Sequence, residues 1–339
     1  MKKIIKSLTR ITVVLGIIFA IFGIIYWIMP SGKLFTDGRF DLRQNGIWLQ
    51  HGWLGDDIWF KRNNRDKTKF RSEQKITELF TKMKKHSIKF LYPHLCPTFF
   101  DGKISKVDDI QTKLFLKLAK KNELNILPWI GGVFDDSVKL SSEKWRKNFT
   151  ESILRLLNEY SEFDGIQINI EPLPNGNKDF ILLLKELHDV FPKDKIISIA
   201  AYPPPTILHP HENVHWDMQY YSEIAPYVDQ MAVMMYDTAI KFPKLYVSLM
   251  SSWTKELLNN KTLKKFNVKI LLGLPAYDDA YTTYHEPEVE NINYALKGIN
   301  LGLSSFKELP KNYQGTVIYC EWEMNNSKWQ IFYENFQKK

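Results

Sequence analysis

Apolar and polar positions along the chain follow two alternating rhythms. Strand-like apolar runs fall at 46–54, 88–96, 124–131, 164–171, 195–202, 229–236, 268–275 and 315–322. Between them, apolar residues recur every three to four positions, at 72–86, 109–121, 142–160, 177–190, 243–265 and 290–306, with a last amphipathic stretch at 326–336. The first rhythm predicts strands and the second predicts helices. Eight strands alternating with helices predict an α/β chain folded as a (β/α)8 barrel, a TIM barrel. A doubly wound open sheet would use the same elements, but no glycine-rich dinucleotide turn follows the first strand. The segment 203–228, rich in Pro and His, is predicted to be a long loop with little regular structure.

The sharpest alternation is Phe163-Asp164-Gly165-Ile166-Gln167-Ile168-Asn169-Ile170-Glu171-Pro172. On a strand, Ile166, Ile168 and Ile170 point to one face, and Gln167, Asn169 and Glu171 point to the other. The isoleucine face suits a cover of helices. Three polar side chains stacked on the opposite face need partners if they are enclosed. Glu171 comes last, at the carboxyl end of its strand, which is where chemistry sits in parallel barrels.

Residues 11–29 are 19 consecutive residues without a charge, ended by Pro30. That length crosses a bilayer as a helix. Lys2, Lys3, Lys6 and Arg10 precede it, which favours a cytoplasmic amino terminus. A cleaved signal peptide is the alternative, but its apolar core is usually shorter and ends in a small-x-small site. The expected organisation is therefore a cytoplasmic segment 1–10, a transmembrane signal anchor 11–29, a linker 30–43 and a barrel domain 44–339. The protein is expected at the cell membrane, single-pass, with the barrel extracytoplasmic.

The 46 basic and 38 acidic residues leave a net charge of +8. The lysines are scattered rather than gathered into a stripe, so nucleic acid is not an expected partner; an anionic wall or membrane surface is. Two cysteines, Cys96 and Cys320, make no disulfide framework and are expected as buried apolar residues. His209, His211 and His215 have a spacing that could converge on zinc, but they match no catalytic zinc motif. Neither a metal nor a cofactor is expected. The run Lys261–Lys265 is expected as a solvated helix end.

Successive strand ends carry a resemblance. The third ends in Trp129-Ile130-Gly131-Gly132, and the fourth is Asp164–Glu171. The fifth runs Ile197-Ser198-Ile199-Ala200-Ala201-Tyr202-Pro203, and the sixth ends in Met234-Met235-Tyr236-Asp237. The seventh ends in Gly273-Leu274-Pro275-Ala276-Tyr277, and the eighth opens Gly315-Thr316-Val317-Ile318-Tyr319. In this order they resemble glycoside hydrolase family 18, the chitinases and endo-β-N-acetylglucosaminidases, over about 46–325. The resemblance implies Glu171 as general acid/base, with the substrate's own 2-acetamido oxygen as nucleophile, an exception to the two-carboxylate scheme. It implies that Asn169 orients the acetamide and that Tyr236 hydrogen-bonds it. Asp164, Gln167 and Asp237 match further positions of the family pattern. Trp129, Tyr277, Tyr319 and Trp322 are the candidate sugar contacts, with Tyr319 standing where the family usually has Trp.

Two positions depart from the pattern, since the family has acidic residues at the places of Gln167 and Asn169. A related family, number 85, resembles this arrangement in pairing Asn with Glu. The expected substrate is a β-linked N-acetylglucosamine polymer or glycan. A non-catalytic carbohydrate-binding barrel is the alternative that would tolerate the neutral pair. Parity with Tyr319 places Glu321 inward beside the site and Cys320 outward; Glu321 and Asp237 are then the carboxylates that could help Glu171 keep its proton.

Overall fold

The structure is a computed structural model and describes residues 2–55, 57–95, 98–207, 209–211, 213–279 and 282–337. Nine strand segments run β1 Asn45–Leu49, β2 Ile88–Pro93, β3 Asn125–Ile126, β4 Trp129–Val133, β5 Gly165–Glu171, β6 Ile196–Ala201, β7 Gln230–Val233, β8 Lys269–Pro275 and β9 Tyr313–Tyr319. All pair in parallel, in the order β3-β2-β1-β9-β8-β7-β6-β5-β4.

β3 and β4 are two halves of one barrel strand, parted at Leu127-Pro128. Proline has no N–H to give the ladder. β3 pairs with β2, and β4 pairs with β5. Across the break, Leu127 N donates to Leu91 O at 3.0 Å, Leu95 N donates to Trp129 O at 2.8 Å, and His94 bridges to Trp129. These bonds close an eight-stranded barrel.

The helices are α1 Lys2–Ile28, α2 Asp57–Arg62, α3 Glu73–Lys85, α4 Asp109–Lys121, α5 Glu143–Glu159, α6 Lys178–Val190, α7 Met218–Ile224, α8 Pro243–Asn259, α9 Lys261–Lys265, α10 Ile292–Leu303 and α11 Asn326–Asn335. Their starts are written in the sequence. Ser72, Asp108, Ser142, Asn177, Asp217, Asn260, Asn291 and Asn325 each accept a first-turn N–H through the side chain, which satisfies a donor that has no partner inside the helix.

Some expected boundaries move. The first strand stops at Leu49 and the chain turns through 51–54. The stretch 243–265 is two helices, because Asn260 ends α8 and caps α9. The segment 203–228 holds α7 and a 3-10 turn, Ala225–Tyr227; seven residues are too few for a helical period to show. Strand β9 ends at Tyr319 and a 3-10 turn, Glu321–Glu323, follows. Strand parity therefore stops before Glu321. Cys320 is buried with a free thiol, and Cys96 lies outside the described residues.

Helix α1 is apolar over Ile11–Ile28, and no residue of that stretch is buried by the rest of the chain. It is long enough to cross a membrane by length and composition. Its carboxyl end meets the barrel at the start of α8: Lys244 Nζ donates to Trp27 O at 2.7 Å, and Tyr26 packs edge-on against Phe242. The segment after it lies along the barrel wall. Asn300 Nδ2 donates to Lys33 O at 3.2 Å, and the Tyr313 hydroxyl donates to Phe40 O at 3.0 Å.

Candidate active site

Strand β5 shows the alternation that its sequence predicts. Ile166, Ile168 and Ile170 are buried on the outer face under the helices. Gln167, Asn169 and Glu171 point into the barrel at three depths. Gln167 is lowest and wholly enclosed: Trp48 Nε1 donates to its Oε1 at 2.5 Å, and its Nε2 donates to Ser198 Oγ at 3.3 Å. Ser198 and the Tyr92 hydroxyl both donate to Gln230 Oε1. This polar layer fills the barrel interior, and each member has a partner, as buried polar groups require. Gln167 is thus part of the barrel's filling and is not open to a substrate.

Asn169 stands one layer higher. Its Nδ2 donates to Glu171 Oε1 at 2.7 Å. Its Oδ1 is buried and has no hydrogen-bond partner among the described residues. The neighbouring strand passes close because Gly131, paired with Asn169, has no side chain: a Cβ there would sit 1.7 Å from Asn169 O. The φ of Gly131, +150°, also disfavours any other residue. Gly131, the first of the Gly-Gly pair, therefore lets β4 lie close against β5 at this depth.

Glu171 ends β5. Its second oxygen accepts from the Tyr202 hydroxyl at 3.3 Å. Burial pushes its pKa above the usual glutamate range, and the Asn169 and Tyr202 hydrogen bonds oppose that rise. A carboxyl raised in this way keeps its proton to higher pH, as a general acid must.

Around Glu171 the strand ends supply aromatic rings. Tyr236 stacks on Tyr319 with centroids 5.6 Å apart. Tyr319 also meets Trp48, Trp129, Tyr277 and Trp322 at 5.4–6.4 Å. Two cavities share Tyr319 and Trp322 as a common wall. One, of about 650 Å³, includes His51, Trp59, His94 and Trp129; the other, of about 460 Å³, includes Asp237, Tyr277 and Tyr284. Together they form an aromatic-lined cleft across the carboxyl face, beside Glu171 and Asn169 rather than lined by them. Flat apolar rings with polar tips suit the faces and hydroxyls of pyranose sugars. Asp237 follows Tyr236, and its carboxylate accepts from the Tyr277 hydroxyl. Burial pushes its pKa up to about 6.

Trp129, Tyr236, Asp237, Tyr277, Tyr319 and Trp322 therefore gather on the same face as Asn169 and Glu171. Asp164 does not. It lies at the foot of β5, where its carboxylate accepts Ile126 N at 2.8 Å and ties β5 to β3. Asp229 does the same below β7, accepting Ile197 N at 2.9 Å. Glu321 also lies away from Glu171, in a recess between β1 and α3 lined by Gln50, Trp53, Lys82 and Trp329. The three loop histidines do not converge: His209 bonds Thr206 and the Thr238 carbonyl, while His215 faces the His211 carbonyl.

Residues with no assigned role in the sequence reading also reach the site. Tyr202 touches Glu171, and its place at the end of the fifth strand was a usable signal. His51 and Trp59, stacked at 4.2 Å, sit in and beyond the first loop, where no periodicity marks them.

The profile described as glycosyl hydrolases family 18 matches residues 61–336. No curated protein matches the sequence. Among solved structures, the chain is similar to the Rhizomucor miehei chitinase RmChi1, with a TM-score of 0.58 at 14% identity, covering 86% of this chain and 98% of that one. It is similar to the spore cortex-lytic enzyme SleL of Bacillus megaterium QM B1551, with a TM-score of 0.56 at 14% identity over 87% of this chain and 75% of that one. It is also similar to a chitinase of Chromobacterium violaceum ATCC 12472, with a TM-score of 0.54 at 12% identity, over 85% and 98%. At such identities the likeness shows a shared fold alone.

Proposed function

This chain belongs to family 18 of the glycosyl hydrolases, and from that premise we propose that it hydrolyses β-linked N-acetylglucosamine glycans with retention, using Glu171 as general acid/base. The observation that carries the reading is the half-buried carboxyl of Glu171, whose surroundings push its pKa upward, beside the unpartnered carbonyl oxygen of Asn169.

In the first step Glu171 gives its proton to the glycosidic oxygen as the bond to the anomeric carbon breaks. The substrate's acetamide oxygen bonds to that carbon, giving a cyclic oxazolinium. Asn169 Oδ1 accepts the acetamide N–H and so aims the oxygen. Its burial without a partner is what such a contact would relieve. The Tyr236 hydroxyl, which has no hydrogen-bond partner among the described residues, donates to the acetamide oxygen. In the second step the Glu171 carboxylate takes a proton from water as the water opens the ring from the other side. Trp129, Tyr319 and Trp322 hold the sugar faces, and Asp237 and Tyr277 bound the far end of the cleft.

The neutral Asn169 offers no charge to the cationic intermediate. Losing one preorganised stabilising group costs about 3 kcal/mol in comparable sites, so turnover slower than that of an Asp-Glu site is expected.

Glu171→Gln keeps the shape and removes the titrating proton. On a chitooligosaccharide it should slow hydrolysis by at least ~10²-fold while leaving glycan affinity intact. Equal rates in the two proteins would reject the assignment, and glycan binding by the wild type without turnover would make the barrel a sugar-binding protein. We further propose that α1 anchors the protein in a membrane with the barrel extracytoplasmic. Protease added to intact cells should then digest the barrel, and a mature chain lacking α1 would remove the anchor.

A further inference from the structure

Between the loop after β7 and the loop before α10, three side chains meet with no role in the scheme above for two of them. His285 is wholly shielded from solvent. Its Nε2 lies 3.2 Å from the Tyr277 carbonyl oxygen, so Nε2 carries the hydrogen and donates. In the neutral ring Nδ1 then carries the lone pair, and in the imidazolium it carries a second hydrogen. Among the described residues Nδ1 has no hydrogen-bond partner, yet it lies 3.6 Å from Asp237 Oδ1 and 3.6 Å from Glu290 Oε2. Both separations exceed hydrogen-bond length. Two carboxylates facing Nδ1 call for a positive charge there, from a proton on the ring or from a cation held between the three groups; at 3.6 Å on each side, a proton on Nδ1 makes a hydrogen bond to neither carboxylate.

The three donor atoms lie within 4.8 Å of one another. Ligands about 2.1 Å from a tetrahedral ion stand about 3.4 Å apart, close to the two His285 separations. The surroundings already hold the donors in place. Glu290 is fully buried, and its carboxylate accepts Thr238 N at 3.1 and 3.0 Å. The Tyr277 ring stacks on His285 at 4.0 Å. The Nε2–H···O=C contact is the outer hydrogen bond that fixes the tautomer of metal-binding histidines.

We propose that Asp237 Oδ1, His285 Nδ1 and Glu290 Oε2 form a site for one divalent transition-metal ion. One imidazole with two carboxylates selects zinc or manganese over calcium or magnesium. The ion ties the loop carrying His285 to the end of β7. It thereby fixes Asp237 next to Tyr236. It serves as a structural clamp beside the cleft and takes no part in bond breaking.

The test is calorimetric titration of the full chain in detergent, after stripping with a chelator, with zinc, manganese, calcium and magnesium chlorides. One equivalent of zinc or manganese should bind and raise the melting temperature, with calcium and magnesium much weaker. Glu290→Gln and Asp237→Asn should each weaken binding at least tenfold, and His285→Gln should abolish it. Asp237 is partly exposed, so its variant keeps the test valid if a buried substitution fails to fold. Absence of saturable zinc and manganese binding overturns the proposal. So does binding unchanged in Asp237→Asn, which would place the ion elsewhere, for example on the His209 loop.

Discussion

Asn169 donates its amide nitrogen to Glu171 across 2.7 Å and keeps its carbonyl oxygen free of any hydrogen bond among the described residues. A neutral side chain thus does two jobs at once. Its hydrogen bond opposes the rise in the acid's pKa that burial brings, and it presents an acceptor at the depth where an acetamide would lie.

Asn169→Asp replaces that donor with a second carboxylate. Like charges in contact disfavour ionisation, so the pair holds a proton to higher pH than Glu171 does alone. A general acid must be protonated, and its pKa sets the alkaline limb of the pH–rate profile. That limb should move upward by about a unit or more, with the rate equal or higher because the oxazolinium gains a counter-charge. The check is a pH–kcat/KM profile of both proteins on a chitooligosaccharide. An unchanged limb would uncouple position 169 from the acid.

Glu321 gives a stability prediction. Burial pushes its carboxyl up to about 7. The folded state therefore binds a proton that the unfolded chain has released above its ordinary pKa near 4.5. The stability from this group is full below about pH 4.5 and is lost as pH rises through about 7. The loss is on the order of 3 kcal/mol. Glu321→Gln should raise the melting temperature at pH 8 relative to the parent and flatten the difference between pH 5 and pH 8. A parental melting curve flat over that range would contradict this.

Trp322 is 38% exposed on the wall shared by both cavities. Trp322→Ala removes a stacking ring without opening the core. KM for a long oligosaccharide should rise roughly tenfold, about 1–1.5 kcal/mol, with kcat little changed. A fall in kcat alone would place Trp322 against the reacting sugar.

Gly131→Ala should be severe. The added methyl would meet Asn169 O at 1.7 Å, and only a shift of β4 against β5 can relieve that. A cost above about 3 kcal/mol is expected from strain of this kind, read as a fall in the urea midpoint. Near-parental stability would show that the two strands can separate.

Much of the barrel was legible because strands and helices have different periods. The helix 109–121 is found at the predicted residues, and Asn169 and Glu171 share a face because period two requires it. Depth was not legible. Gln167 shares that face but lies among Trp48 and Ser198 below the cleft, and Asp164 belongs to the foot of the strand. Periodicity gives a face only while the strand lasts, which is why Glu321 swings into another recess once β9 ends at Tyr319. His285 and Glu290 were beyond reach for a related reason: their meeting with Asp237 depends on how an irregular loop returns, and no local pattern encodes that.

The strip from residue 30 to residue 43 is docked along the barrel wall. A tether of that length would give a flexible chain a wide arc of swing. Here Lys33, Phe40 and Trp27 hold it against α10, β9 and the start of α8. Whatever grips α1 therefore grips the barrel almost directly. With the strip docked in this way, the cleft follows α1 instead of swinging on a loose cord.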